Sequence, residues 1–541
     1  MGALESRFAE RLLKSRAPMT DFTAELRRCI DLLETIVEDR TKLSHVADSD
    51  RLALLIAAGR ISRPTRDETR RVGKAFRRVQ KKQMEAQDRE ARATTAIRAA
   101  RVADVFTAPK AVLPESEEAR ARAHEGAPEL LKARACYVCK VEFRRLHFFY
   151  DAMCPSCAEL NYEKRFQTAS LDGKVALITG ARVKIGFQAA LKMLRAGARV
   201  IVTTRFPRDA AHRFAREADF GEWHARLEVY GLDLRHSPSV EIFARYLDRT
   251  QDRLDILINN AAQTVRRPPG FYAPLLDVET KPFDELPAEV RALLGAHEDC
   301  KRTLVASAAS GPAQLGSNGA DAGGLASWHA ASDVKSPGMG IHSPALLSQI
   351  PFAYDESENA RELFPEGKSD ADLQQVDLRT MNSWRLTLDQ VASAEMLEVH
   401  LVNAVAPFIL ASKLKALMLR RPSMDKHIVN VSAMEGQFAR HTKTDKHPHT
   451  NMAKAALNMM TLTSAPGYAA DGIFMNAVDT GWVTDEDPLV HATRKKQELD
   501  FQPPLDIVDG AARICDPFFS GLLSGVHVSG LFLKDYAPTR W

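Results

Sequence analysis

Four cysteines in two close pairs are the residues of this sequence best suited to chemistry. Cys136-x2-Cys139 and Cys154-x2-Cys157 are separated by 14 residues. Each CxxC makes a tight knuckle that aims two thiolates at one ion, and four thiolates complete the tetrahedral shell that zinc prefers. Four protein ligands leave no open coordination position, so the expected zinc is structural. A module with so few apolar residues needs the ion to fold. Free thiols or a redox pair are the alternative. Phe143, Phe148, Phe149 and Tyr150 lie between the pairs and suit a small hairpin core, and Ala158–Arg165 reads as a helix. His147 is expected on the surface, with a replacement-ligand role as the alternative. Arg144, Arg145, Lys164 and Arg165 are expected to dock the module rather than to touch nucleic acid.

The second chemical feature is a glycine turn. The apolar run Val175–Thr179 leads into Thr179-Gly180-Ala181-Arg182-Val183-Lys184-Ile185-Gly186 and then into an amphipathic helix over Phe187–Ala196. Glycines between a strand and a helix N-terminus let backbone amides approach a pyrophosphate, and the helix dipole favours its charge. Further short apolar strands alternate with amphipathic helices: Val200–Thr204, Glu228–Asp233 and Leu254–Asn259. This is the pattern of a parallel, doubly wound sheet. It is interrupted from about 264 to 385, where Arg266-Arg267-Pro268-Pro269 precedes an Ala/Ser/Gly-rich tract near 306–340. So long a structureless stretch is uncommon in a compact domain, and it reads as a partly disordered insertion expected to cover the active-site side. The pattern resumes with a helix at 390–420, a strand at 427–431, a helix at 451–465, a strand at 473–478 and a closing apolar segment, Val528–Tyr536.

The glycine turn, Asp233 closing the third strand and Asn259-Asn260-Ala261-Ala262 closing the fourth together resemble the short-chain dehydrogenase/reductase family over about 172–265 and 390–541. The resemblance implies a Rossmann-like fold and a nicotinamide dinucleotide. Of the family's TGxxxGxG glycines the chain keeps Gly180 and Gly186 and has Lys184 at the middle position. Carried over, Gly180, Ile185 and Gly186 meet the pyrophosphate, Asp233 bonds the adenine end, Asn260 lies beneath the cofactor and Thr484 approaches the carboxamide. Arg205 follows the second strand, where relatives selecting NAD(H) carry an acid. With Arg182 and Lys184 it favours a 2′-phosphate, hence NADP(H) over NAD(H). The catalytic slots depart from the family. Lys454 and Asn403 match its lysine and helix asparagine, but Thr450 stands in the Tyr slot. Ala433 fills the Ser slot, with Ser432 beside it on the opposite strand face. A threonine hydroxyl is a far weaker acid than a phenol, so another donor is needed: His441, His447 or His449 before the slot, or Tyr272 or Tyr354 from the insertion.

At 541 residues the chain exceeds one core. The expected organisation is an α-helical region over 1–110, a linker over 111–133, a four-cysteine zinc-binding module over 134–168 and an α/β domain over 169–541. In the first region Leu26, Ile30, Leu33 and Ile36 keep helical spacing, and Thr65 with Glu68 forms a capping box opening a helix over 66–104. Residues 1–135 hold 28 Lys+Arg against 21 Asp+Glu, a net +7, which leaves −3 of the total +4 for the remainder. A solvated helical face is the preferred reading of that basic region, a protein partner the next, and nucleic acid is not expected. No stretch reads as a membrane span, and seven cysteines without a disulfide pattern point to a reducing, cytoplasmic compartment. Two functions fit: an NADP(H)-dependent oxidoreductase with an altered proton donor, acting on a carbonyl or alcohol, or a degenerate NADP(H)-binding sensor or scaffold. By analogy with the family, the chain pairs with a second copy through the helices near 400 and 455.

Overall fold

The computed structural model describes residues 19–102, 105–106, 126–309, 338–351, 362–439 and 443–541. His441, Tyr354, most of the expected linker and most of the Ala/Ser/Gly tract lie outside them. The chain divides into two units, Met1–Ala86 and Gln87–Trp541.

The first unit is helical: α1 (Met19–Glu38), α2 (Asp48–Ser62) and α3 (Arg66–Ala93), whose last turns belong to the second unit. The capping box is present: the Thr65 amide donates to Glu68 at 2.8 Å and the Glu68 amide to the Thr65 hydroxyl at 3.3 Å. The helix expected over 66–104 ends at Ala93 because two threonines turn back on it. Thr94 and Thr95 hydroxyls bond the carbonyls of Ala91 and Arg92. A short helix, α4 (Ala96–Ala100), follows.

The cysteine module begins earlier than expected. Strand β1 (Glu129–Ala135) pairs antiparallel with β2 (Glu142–Arg145), and α5 (Pro155–Phe166) follows the second knuckle. Residues expected to be linker are thus part of the hairpin.

The eight-stranded sheet has the order β10-β9-β8-β7-β6-β3-β4-β5. Its strands are β3 (Val175–Thr179), β4 (Arg199–Thr204), β5 (Leu227–Gly231), β6 (Ile256–Asn259), β7 (Lys426–Ser432), β8 (Ile473–Asp479), β9 (Phe532–Lys534) and β10 (Ala537–Thr539). All neighbours are parallel except the terminal hairpin β9–β10. The central strands β3, β6 and β7 are buried on both faces, which is why they read as apolar runs. Strand order reverses between β3 and β6, which opens a crevice at their carboxyl ends.

Helices cover both faces: α6 (Lys184–Arg195), α7 (Pro207–Ala215), α8 (Ser237–Thr250), α9 (Pro269–Glu279), α10 (Ala288–Ala309), α11 (Ser393–Leu419), α12 (Pro448–Ala470), α13 (Leu489–Leu499) and α14 (Ile507–Ser524). The insertion is therefore not structureless: α9 and the 22-residue α10 lie within it. Val290, Leu293, Leu294 and Cys300 of α10 are buried at helical spacing. One helix, α11, is long and apolar enough to cross a membrane by length and composition alone. More than half of its apolar window is buried within the fold, and it packs along α8.

Candidate functional site

The crevice at the strand-order reversal is one continuous cavity of about 1170 Å³, reaching from Gly180, Arg182 and Arg205 to Lys454 and Thr484. Both retained glycines are sterically required. A Cβ on Gly180, at φ +69°, would meet Ala261 at 2.7 Å, and one on Gly186 would meet the Gly180 carbonyl at 2.4 Å. Asn260 ties the turn to the sheet by donating to the carbonyls of Thr179 (3.0 Å) and Gly180 (3.1 Å). Lys184 occupies the left-handed region at φ +56°, where the family has its middle glycine. Its ammonium is 3.9 Å from Asp372 of the insertion. Ile185 packs against Gly510 of α14.

The three cations expected at the ribose differ in their partners. Arg182 is held by Asp209 at 2.7 Å, which Arg213 also contacts, so two guanidiniums share one carboxylate. Arg205 donates to the Tyr272 hydroxyl at 2.8 Å and lies over that ring, 4.8 Å from its centroid. Tyr272 itself stacks on Phe206. Burial pushes the Tyr272 phenol up, but Arg205 and its neighbouring arginines outweigh this and hold it below its ordinary value. The phenol sits at the Arg205 end of the cavity. Asp233 lines the cavity, yet its carboxylate is fully buried and clamped by Arg235 at 2.7 Å. Burial raises its pKa, and the Arg235 contact more than reverses the rise.

At the other end, Lys454 is buried in α12 and donates to the Val431 carbonyl at 2.8 Å. Burial pulls its ammonium from 10.5 down to about 8, against the attraction of Glu435 and Asp479. Thr450 is one turn away, its hydroxyl 3.5 Å from the Thr264 carbonyl. Ala433 faces the cavity. Ser432 also lines the cavity, and its buried hydroxyl donates to Asn458 at 2.5 Å. Asn403 sits in a π-helical turn, Leu401–Val405, within α11. Its amide both donates to the Gln263 carbonyl (2.9 Å) and accepts from the Gln263 amide (2.8 Å). Thr484 lines the cavity and donates to Glu486 at 2.8 Å.

Of the candidate proton donors, His449 is buried in the first turn of α12, and burial lowers its pKa to about 4. It is neutral at pH 7 and is not among the cavity-lining residues. His447 does line the cavity, stacked on Trp384 with ring centroids 4.0 Å apart.

The four cysteine sulfurs all lie within 4.8 Å of one another, with those of Cys139 and Cys154 3.6 Å apart. A tetrahedron with Zn–S bonds of about 2.3 Å has edges of about 3.8 Å, so the set fits a zinc ion. His147 is fully buried, not on the surface. Its Nδ1 accepts the Phe149 amide at 3.0 Å and its Nε2 faces Glu159, which explains a histidine without a ligand role. The module also supplies two cavity residues that sequence reasoning missed, Tyr137 and Lys140. The Tyr137 hydroxyl accepts the Trp482 amide at 2.9 Å across 345 positions, a contact with no local signal.

Residues 174–281 match the short chain dehydrogenase family model. The chain is 30% identical over 398 residues to the uncharacterized protein R665 of Acanthamoeba polyphaga mimivirus, covering 71% of each chain. It is 34% identical over 94 residues to mouse retinol dehydrogenase 13, which is 17% of this chain and 28% of that protein. The WW domain-containing oxidoreductase of Danio rerio is 40% identical over 93 residues, 17% of this chain and 22% of its own length. Among solved structures, NADPH-bound carbonyl reductase from chicken fatty liver superposes with a TM-score of 0.39 at 15% identity, covering 68% of this chain and 100% of that one. The glycine turn and the strand order agree with the family match: residues 174–281 are similar to the short-chain dehydrogenase family, and the chain shares most of its length with the mimivirus protein.

Proposed function

We propose that this protein binds NADP(H) and acts as an oxidoreductase on a carbonyl or alcohol substrate, with a proton donor other than the family's tyrosine. The observation that carries this reading is the continuous cavity that joins the glycine turn to Lys454. Gly180, Ile185 and Gly186 would hold the pyrophosphate on the N-terminus of α6, and Asn260 fixes the turn beneath it. Arg205 and Lys184 supply positive charge for a 2′-phosphate, since Arg182 is taken by Asp209. A bound reduced nicotinamide supplies hydride. Lys454, a cation at neutral pH in a dry site, orients the ribose side, and His447 beside Trp384 holds the proton for the developing alkoxide. Calorimetric titration with NADPH and NADH tests binding, followed by NADPH oxidation against a carbonyl panel. In His447→Ala, turnover should fall about a hundredfold with NADPH affinity unchanged; equal turnover would eliminate His447.

A sensor or scaffold without turnover is the second reading. It is favoured by Thr450 and Asn403, whose polar groups are directed at backbone atoms of residues 264 and 263. NADPH binding without oxidation of any panel member would select it.

The four-cysteine site is proposed to hold a structural zinc. A cytoplasmic location is proposed because the described cysteines are all free thiols. The basic, exposed helices of the first unit are proposed to meet a protein partner. A second copy of the chain is proposed to pack on α11 and α12, where Phe408, Met452 and Met459 are exposed.

A further inference from the structure

The geometry points to the cysteine module as a wall of the nucleotide site, with Tyr137 as the positioning residue through which metal occupancy and nucleotide affinity are coupled. This rests on the NADP(H) reading above.

Two loops border the cavity at opposite ends of the expected dinucleotide: the glycine turn containing Ile185, and Gly481–Thr484 after β8. Both are packed into the same apolar cluster as the cysteine module. Cys136, Cys154, Phe149 and Tyr162 share that cluster with Val483 and Leu505, and Ile185 and Tyr137 pack against it. The knuckle that turns between Cys136 and Cys139 carries Tyr137. The Tyr137 amide donates to Ala152 at 2.8 Å, which ties one knuckle to the approach of the other. Its hydroxyl accepts the Trp482 amide, and its ring lies beside Lys534, whose ammonium is 5.3 Å from the centroid. Gly481, at φ +77°, has room for no side chain between Leu505 and the Tyr137 hydroxyl.

A metal that fixes four sulfurs therefore fixes Tyr137, and Tyr137 fixes the loop expected to meet the nicotinamide end. Coupling between sites is reciprocal. Metal should tighten nucleotide binding, and nucleotide should retain metal by the same factor.

The test uses the full chain, purified with zinc and assayed by calorimetry with NADPH. Chelator-stripped protein, and Cys157→Ser as a ligand variant, should bind NADPH about tenfold more weakly, with folding checked by circular dichroism. Saturating NADPH should slow zinc transfer to a coloured chelator by a similar factor. Tyr137→Phe keeps all four ligands, so it should retain one zinc yet bind NADPH several-fold more weakly, and it stays informative if stripped protein unfolds. Unchanged NADPH affinity in Tyr137→Phe, or NADPH without effect on zinc release, overturns the coupling while leaving the nucleotide reading intact. Purified parent with less than about half an equivalent of zinc also overturns it. Parent protein that holds zinc and binds neither dinucleotide defeats the nucleotide reading itself, and the coupling falls with it.

Discussion

Lys454→Met should make this protein more stable at neutral pH. Lys454 is buried and has no carboxylate within ion-pair range among the described residues; its ammonium donates to one backbone carbonyl. Its pKa falls from 10.5 to about 8 through burial. Each factor of ten in proton affinity is worth about 1.4 kcal/mol, so holding the charged form costs about 3 kcal/mol. Methionine loses the bond to Val431, worth about 1 kcal/mol, which leaves a net gain of about 2 kcal/mol at pH 7. The sign depends on pH in a defined way. Below pH 8 the folded and unfolded parent both hold the proton, and the full penalty is present. Between pH 8 and 10.5 the folded form releases its proton while the unfolded form retains it, so the parent gains on the variant as pH rises. Above pH 10.5 the gap closes and reverses by about the one hydrogen bond. Urea titrations of both proteins at pH 7 and pH 10.5, following exposure of the buried Trp223, measure this. A variant less stable at pH 7, or a gap unchanged with pH, would refute the assignment of Lys454 as an uncompensated buried cation.

Three other outcomes follow from particular contacts. Lys184→Gly removes a left-handed strain of about 1 kcal/mol and restores much of that in chain entropy. Stability in urea should stay within about 0.5 kcal/mol while NADPH affinity drops several-fold, and a larger loss of stability would contradict the strained geometry. Arg165 is fully buried and bonds Asp506 twice and Asp509 once, joining α5 to the cap of α14. Arg165→Ala strands two carboxylates and should cost about 3–5 kcal/mol in thermal or chemical unfolding; a loss under about 1 kcal/mol would refute the network's role. Arg205→Glu should lower the ratio of NADPH to NADH affinity by on the order of tenfold or more in calorimetry. An unchanged ratio would remove Arg205 from cofactor choice.

The doubly wound sheet is legible in the sequence because parallel strands buried on both faces leave short, continuous, mostly apolar runs such as Val175–Thr179. The start of α6 is not: the pattern points to Phe187 rather than Lys184, because a lysine at positive φ hides the point where the turn becomes helix. The insertion deceives for a different reason. Its prolines and small residues draw attention from Val290, Leu293, Leu294, Cys300 and Leu304, a helical face that is visible in the sequence of α10. The convergence of the four cysteines can be read from spacing, whereas the docking of their module cannot. Tyr137 meets Trp482, Arg165 meets Asp506, and Arg513 meets Asn161 at separations above 300 residues, where pattern carries no register. His147 belongs on the surface by residue type alone, but an imidazole whose two nitrogens face an amide and a carboxylate is content in a core.

Two of the slot residues, the retained Asn403 and the substituted Thr450, hold the corner where the chain enters the insertion. Asn403 locks both backbone groups of Gln263, the Gln263 side chain donates to Glu398 at 3.0 Å, and Thr450 approaches the carbonyl of Thr264. Residues 263 and 264 are where the chain leaves β6 and enters the insertion. The π-helical turn that displaces Asn403 from regular helix geometry is thus matched to that departure point. A tyrosine at position 450 would need space that the insertion's first residues now occupy, since the Thr450 hydroxyl is already 3.5 Å from the Thr264 carbonyl. On this geometry the threonine at position 450 and the first residues of the insertion fit one another. Restoring the residue alone by Thr450→Tyr should therefore disturb the 263–264 corner rather than rebuild a proton relay. Under the proposed oxidoreductase reading, His447, held against Trp384 on the cavity wall, is the candidate donor with room beside the site.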